Sequence, residues 1–215
     1  MSVRTWGTAR QAKAPRDSGP KRPASAVVPQ RVARAAAKVG AVSRDLKVRE
    51  ATEADWPGIW QALEPAFRAG ETYTYPRDIT EAEAHAAWLA VPGARVLVAV
   101  DAVDADPTAN PKLVLGTAKY MPNHPGGGSH VANASFVVGP AATGRGVGSA
   151  LAQAVLDGAR ADGFRAMQFN AVVETNERAV QLWKRFGFTI LTTVPEAFDH
   201  PTSGLVGLHI MHRML

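Results

Sequence analysis

The chain has 215 residues, a formal net charge of +5, 46% hydrophobic residues and no cysteine. That length suffices for one domain with a sizeable core, while the missing cysteine excludes a disulfide framework, a thiolate metal site and a covalent acyl-cysteine intermediate. No apolar run reaches the length of a membrane span, and the six histidines show no metal-ligand spacing such as H-E-x-x-H, so neither a membrane nor a metal partner is expected.

The positive charge is unevenly spread. Residues 1–43 hold nine Lys/Arg against the single acid Asp17, a charge of +8, whereas residues 44–215 carry −3. With Pro15, Pro20, Pro23 and Pro29 and few large apolar residues, the first segment reads as a disordered basic extension. Three roles are open for it. It is a solvated extension or a start assigned upstream of the folded part, a nonspecific anchor for nucleic acid or anionic membrane, or part of a transit segment. The first is favoured, so a nucleic-acid partner is not expected. Without disulfides or a secretory apolar core, a cytoplasmic location is expected for the folded part, residues 44–215.

Leu46 to Ala51 alternates as a strand does, and Thr52-Glu53-Ala54-Asp55 has a loose capping-box pattern opening a helix to about Ala69, with Pro57 tolerated in the first turn. A second box, Thr80-Glu81-Ala82-Glu83, opens a helix to about Ala90. Arg95–Val100 and Lys112–Met121 read as a strand pair joined by the polar loop Asp101–Pro111. His130–Val138 is a strand, followed by a glycine loop and a helix ending near Asp162-Gly163. Arg165–Val173 is a strand, and Asn176–Phe186 is a helix stopped by Gly187. Thr189–Val194 and Leu205–Met214 close the chain as a strand pair around Phe198–Gly204. The fold class this implies is α/β of the α+β type: a mixed, mostly antiparallel sheet of about seven strands with about four helices on its faces.

The segment Val137-Val138-Gly139-Pro140-Ala141-Ala142-Thr143-Gly144-Arg145-Gly146-Val147-Gly148-Ser149 is the most telling. A strand stops, three glycines follow at alternate positions, and a helix opens. The free N–H groups and positive dipole end of that first turn make an anion site, usually for phosphate; a tight turn without ligand is the alternative. The loop is neither the G-x-G-x-x-G of a dinucleotide fold nor a G-K-[ST] phosphate loop.

Thr143–Gly148 resembles the coenzyme A loop, Q/R-x-x-G-x-G/A, of the GNAT acetyltransferase superfamily. The likeness continues through Gln168-Phe169-Asn170 and Ala179-Val180-Gln181-Leu182-Trp183-Lys184-Arg185-Phe186-Gly187-Phe188, similar to that superfamily's A-x-x-L-Y-x-x-x-G-F, and covers roughly Leu46 to Leu215. Thr143 stands where Gln or Arg is usual, and Trp183 where tyrosine is frequent. The resemblance implies an N-acetyltransferase using acetyl-CoA, with its pyrophosphate on Thr143, Gly144, Arg145, Gly146, Val147, Gly148 and Ser149. It implies a pantetheine arm along His130–Val138, entering a splay beside Arg165–Val173, a main-chain oxyanion donor at Val137 or Val138, and Asn176 touching the cofactor. It also implies possible pairing of the final strands across a homodimer.

Asn133 and Ser135 share a sheet face, as do Gln168 and Asn170. Asn133 and Asn170 either satisfy each other or the strand splay, or Asn133 holds the acceptor while Asn170 positions it or the thioester. Asn176 is a helix N-cap in its own right. Asparagine takes no proton at neutral pH, so Glu71, Tyr120, His130 and Glu174 are the candidates for proton transfer, with Tyr120 as a possible acid. The linker Gly70-Glu71-Thr72-Tyr73-Thr74-Tyr75-Pro76 either roofs the acceptor pocket, placing Glu71 and Tyr75 on a small polar amine, or is an ordinary surface loop. Gly128–Ser135, Met167–Asn170 and Thr175-Asn176 look like the yeast subgroup that acetylates azetidine-2-carboxylate, a proline analogue. The leading expectation is direct acetyl transfer to a small amine or amino acid analogue. A peptide or protein acetyltransferase and a non-catalytic acyl-CoA-binding module are the alternatives.

Overall fold

The computed structural model describes residues 46–102 and 113–215. The basic extension and most of the loop expected at 101–111 lie outside the described residues. The elements run β1 (Leu46–Glu50), α1 (Trp56–Ala69), α2 (Glu81–Trp88), β2 (Arg95–Asp101), β3 (Gly116–Pro122), β4 (Val131–Val138), α3 (Val147–Ala161), β5 (Ala166–Val173), α4 (Glu177–Arg185), β6 (Thr189–His200) and β7 (Gly204–Met214). They build one seven-stranded sheet in the order β1-β2-β3-β4-β5-β7-β6. Every neighbouring pair is antiparallel except β4 and β5. The expected fold class is the one observed.

Helices cover both faces of the middle of the sheet, so β2 and β3 are buried on both sides, whereas β6 at the edge is mostly exposed. On one face Leu97, Ala118, Tyr120 and Ala132 pack with Val147, Leu151 and Val155 of α3 and Val180 and Trp183 of α4. On the other, Val96, Val98, Val100 and Val137 pack with Ile59, Leu63 and Phe67 of α1 and Trp88 of α2. Buried Trp88 is fixed there by a polar chain: its indole N–H donates to Thr117 Oγ1 (3.1 Å), which donates to the Leu97 carbonyl (2.9 Å). An indole N–H left unpaired in such a core would be costly, and the chain therefore sets the height of α2 above the sheet.

The helix starts follow the capping chemistry. Thr80 N–H donates to Glu83 Oε2 (2.9 Å) while Glu83 N–H donates to Thr80 Oγ1 (3.3 Å), the reciprocal box. At α1, Asp55 reaches back to the Thr52 N–H (2.7 Å) through a single 3-10 turn. Asp55 is 1% exposed and also holds Arg49 of β1 at 2.7 and 2.8 Å, so it joins strand to helix. α2 ends at Trp88, two residues before the expected end.

β6 runs to His200 rather than stopping at Val194, and the turn shrinks to residues 201–203. Pro195 lacks an N–H, but β6 is an edge strand and a register shift between Val194 and Phe198 absorbs it, with Glu196 at φ 52°.

Burial pushes the Asp55 carboxyl up, but its bonds from Arg49 and Thr52 outweigh that and hold it below the usual range. A lowered native value gives stability that is full above the ordinary carboxylate value and is lost as pH falls through the native one. Asp55→Asn is expected to lose roughly 3 kcal/mol at neutral pH, with the gap from wild type closing below about pH 4. Urea unfolding at the two pH values checks this; a gap independent of pH contradicts it.

Candidate active site

The site starts from a strand pair that comes apart. β4 and β5 share only the partners Val131–Ala166 and Ala132–Met167 and separate beyond them. On the other side of β4, Asn123 N–H donates to the Val131 carbonyl (2.8 Å) and Gly139 N–H to the Leu115 carbonyl (2.9 Å). Main-chain direction alternates along a strand, so the odd-numbered residues of β4 bond to β3 and the even-numbered ones face β5. Arg165 N–H donating to the His130 carbonyl (2.9 Å) follows the same parity. The N–H and C=O groups of Phe136 and Val138 therefore open into the gap. Of the two expected oxyanion donors, Val138 faces the gap, whereas the Val137 N–H belongs to the β3 ladder and only its residue lines the space.

A cavity of about 420 Å³ occupies the gap. Asn133 to Val138 form one wall, Phe169 to Val173 the facing wall, and Tyr73, Tyr75, Asn176 and Trp183 close parts of the rest. Trp183 is 7% exposed and packs its ring 4.7 Å from those of Phe136 and Phe169. It is a wall, as a residue without an acidic hydroxyl must be.

The glycine loop lies past the end of β4. Gly144 (φ 85°) and Gly146 (φ 81°) hold the left-handed conformation that side chains disfavour, and Gly146 caps α3. Thr143, Gly144, Arg145 and Gly146 are exposed, Gly148 and Ser149 half-buried, and Val147 turns its side chain into the core. As the first residues of a helix, Val147, Gly148 and Ser149 have N–H groups without intrahelical partners. These and the glycine amides suit an anion. Arg145 contributes less than the spacing suggests: its N–H donates to the Ala142 carbonyl (3.2 Å) and its guanidinium pairs with Asp101.

Asn133 and Asn170 stand nearer the join of the two strands, and Asn176 lies past the end of β5. Asn133 is half-buried on the cavity wall and its amide makes no hydrogen bond within the described residues. Asn133 and Asn170 do not satisfy each other. Instead, Gln168 Nε2 donates to Asn170 Oδ1 (2.9 Å) and Asn170 Nδ2 donates to Asn123 Oδ1 (2.7 Å). Asn170 is thus clamped at both ends, by one residue that shares its strand face and by Asn123, which nothing in the sequence singles out. Asn176 caps α4 through Oδ1, which accepts from the Ala179 N–H (3.1 Å), leaving its NH₂ at the cavity edge.

The linker after α1 is turned inward. Arg68 and Arg77 each donate to the other's carbonyl, at 2.5 and 2.9 Å, and pin its base. Tyr73 and Tyr75 pack on Phe67 with ring centroids 5.3 and 4.8 Å away. The Tyr73 hydroxyl donates to the Phe136 carbonyl in the gap, and its burial pushes it well above the ordinary phenol value, against the pull of that bond. It stays a proton donor at any working pH. Behind Tyr75 lies Lys119, 7% exposed in the middle of β3, its Nζ 3.3 Å from Tyr75 Oη. The sequence carried a signal for it, a lysine alternating with Thr117 and Met121 in an apolar strand.

Four proton-transfer candidates lie elsewhere. Tyr120 faces α3, 2% exposed, passes Gly158 and donates to Asp162 Oδ2 (2.7 Å), on the far side of the sheet from the tyrosine roof. A Cβ on Gly158 would sit 2.6 Å from that hydroxyl, so the glycine makes room for it. Glu71 and His130 are exposed and outside the cavity lining. Glu174 accepts from the Gly207 N–H (2.5 Å) and ties β5 to β7.

Residues 56–188 match the acetyltransferase (GNAT) family profile. The chain belongs to the GNAT acetyltransferase family. Acetyl-CoA is the cofactor of this family. A GCN5-related N-acetyltransferase from Kribbella flavida is 53% identical, with 80% of this chain and 98% of that one covered and a TM-score of 0.72. YncA from Salmonella typhimurium, solved with acetyl-CoA, shares the GNAT fold at 23% identity, covering 80% of this chain and 94% of that one with a TM-score of 0.67. The N-acetyltransferase aca1 of Schizosaccharomyces pombe is 38% identical over 84 residues, 39% of this chain. The chain spans 40% of that curated relative's length. Among the described residues no helix is long and apolar enough to cross a membrane, and no cluster of ligating side chains suits a metal.

Gly146→Asp sets a carboxylate at the head of α3 and is expected to weaken acetyl-CoA binding at least tenfold. Gly163→Asp, at a similar φ of 86° but past the end of α3, controls for backbone strain and is expected to leave affinity unchanged. Calorimetric titration of both variants decides; equal affinities contradict the loop assignment.

Proposed function

We propose that this enzyme transfers acetyl directly from acetyl-CoA to the nitrogen of a small amine or amino acid analogue, with azetidine-2-carboxylate as the first acceptor to try. The observation that carries the reading is the unsatisfied amide of Asn133, set in the wall of a cavity of about 420 Å³ beneath Tyr73 and Tyr75. A half-buried amide with no protein partner suits a ligand that supplies both a donor and an acceptor.

The residues fit the cofactor. The amides of Gly144, Gly146, Val147, Gly148 and Ser149 would hold its phosphates, and the main-chain groups of Phe136 and Val138 would pair with its arm as a missing strand does. The cofactor supplies the acyl group already activated as a thioester. Val138 N–H would stabilise negative charge on an oxygen in the gap. Asn133 would accept from the acceptor's nitrogen, and clamped Asn170 would hold its polar group. Asn176 would donate its free NH₂ at the cavity edge. Much of the rate then comes from position, with the acceptor nitrogen held against the acyl carbon. No cysteine occurs in the chain, which excludes an acyl-cysteine intermediate and supports direct transfer.

Asn133→Ala is expected to lower kcat/KM for azetidine-2-carboxylate about 100-fold, on the scale of a lost positioning contact, while acetyl-CoA affinity stays within about twofold. Thiol release with and without the acceptor measures the first, and thermal shift by acetyl-CoA the second. Equal losses in both would assign Asn133 a structural role. No turnover with azetidine-2-carboxylate or other cyclic and linear amino acids would sink the acceptor class.

A further inference from the structure

We infer that the Tyr75 hydroxyl carries the proton in this site and that Lys119, behind it, is the positioning residue that stores that proton. The inference rests on the acetyl-transfer reading above. Lys119 has Val96 of β2 and Ser135 of β4 as its cross-strand partners. Its Nζ lies 3.3 Å from Tyr75 Oη, donates to the Ala87 carbonyl, and sits 5.1 Å from the centre of the Trp88 ring. Tyr75 Oη thus has Lys119 on one side, while its residue lines the cavity on the other.

Among the described residues, no carboxylate pairs with Lys119. The charged groups on the elements around it are engaged elsewhere or exposed. On α1, Glu64 pairs with Arg68 (3.5 Å). On α2, His85 meets Glu53 (2.9 Å), Glu83 serves the Thr80 cap and Glu81 accepts from Trp56. In the linker, Glu71 and Asp78 are exposed and Arg77 holds the Arg68 carbonyl. On β2, Arg95 pairs with Glu50 and Asp162 at 2.8 and 3.0 Å. β4 contributes Ser135, and Tyr73 is committed to Phe136.

A buried ammonium without a counter-ion favours its neutral form, and burial indeed pulls Lys119 below its ordinary value. Burial pushes Tyr75 up, so it remains a phenol that can relay a proton but does not lose one outright. A buried methionine would fill this space without that desolvation penalty, so packing alone does not account for a lysine here.

The relay balances. As the C–N bond forms and the C–S bond breaks, the nitrogen must lose one proton and the departing sulfur must gain one. Tyr75 Oη takes the nitrogen's proton while passing its own to the uncharged Lys119 amine. The reverse passage hands that proton on to the sulfur. Tyr75 begins and ends as a phenol and Lys119 as a free amine.

The test uses Tyr75→Phe, Lys119→Met, Lys119→Arg and the Tyr75→Phe/Lys119→Met double variant, with acetyl-CoA and azetidine-2-carboxylate from about pH 6 to pH 10. Melting temperature and acetyl-CoA affinity establish that each variant is folded and loaded. Tyr75→Phe and Lys119→Met are each expected to lower kcat about 100-fold, the usual scale of general acid–base catalysis, with no further loss in the double variant. Wild-type kcat should fall on the acid side as Lys119 gains a proton, and Lys119→Met should lack that limb. Lys119→Arg puts a fixed cation there that cannot release a proton, so it should not rescue. Rescue by arginine, or an unchanged acid limb in Lys119→Met, overturns the relay. A second readout needs no turnover: carbon-13 NMR titration of labelled lysines in the free protein, with Lys119 assigned from the Lys119→Met spectrum. A midpoint well below the other lysines supports the relay, and an ordinary midpoint overturns it. If wild type fails to acetylate azetidine-2-carboxylate, the acceptor reading fails while this titration still decides the proton path.

Discussion

Buried main-chain N–H and C=O groups need partners, and the split between β4 and β5 withholds them. Two residue pairs hold the strands together, and past these the Phe136 and Val138 groups face a gap. Unpaired backbone groups away from water cost free energy comparable to a lost hydrogen bond. The structure meets that demand in part with the Tyr73 hydroxyl on the Phe136 carbonyl. An amide-bearing ligand arm would satisfy the remainder. The same split opens the cavity wall that carries Asn133, and it aims the gap toward the glycine-capped start of α3. The cavity and the unpaired main-chain groups that face it are consequences of one interrupted ladder.

What surrounds the gap keeps it open. Trp183, Phe136, Phe169 and Phe188 interlock on the α4 face, with Phe169 and Phe188 stacked at 4.2 Å, so the walls do not collapse inward. On the other face, the Trp88–Thr117–Leu97 chain fixes α2, and α2 in turn encloses Lys119 under Trp88 and Ala87. The same α2 packing supports the tyrosine roof and removes water from the lysine. Structure and chemistry meet there in one cluster: the aromatic burial that stabilises the domain also sets the proton affinity of the one buried lysine among the described residues.

Much of this was legible in the sequence. The Thr80–Glu83 box, the alternate glycines at 144 and 146 and the Asn176 cap are local signals, each decided by chemistry within four residues, and each formed as read. The seven strands and four helices followed from periodicity. What stayed hidden depends on register and on the third dimension. Alternation places Tyr120 and Lys119 on opposite faces of β3, but not which face receives the pocket, so Tyr120 drew attention and Lys119 did not. The choice between Val137 and Val138 is a matter of parity, fixed only by how β4 meets β3. Asn123 lies 47 residues from Asn170 along the chain, and no local pattern announces their bond. The run of β6 beyond Val194 depends on a register shift that an edge strand tolerates and that leaves no mark in composition.

The central claim is that the gap and the glycine loop together form the cofactor groove. Amide proton–nitrogen NMR on the labelled protein, titrated with acetyl-CoA, tests it most directly. The account predicts the largest shifts at Phe136, Val138, Gly144 and Gly146, with the β6–β7 turn at 201–203 unmoved. Saturable shifts confined to another face, or none at the even-numbered residues of β4, would contradict it.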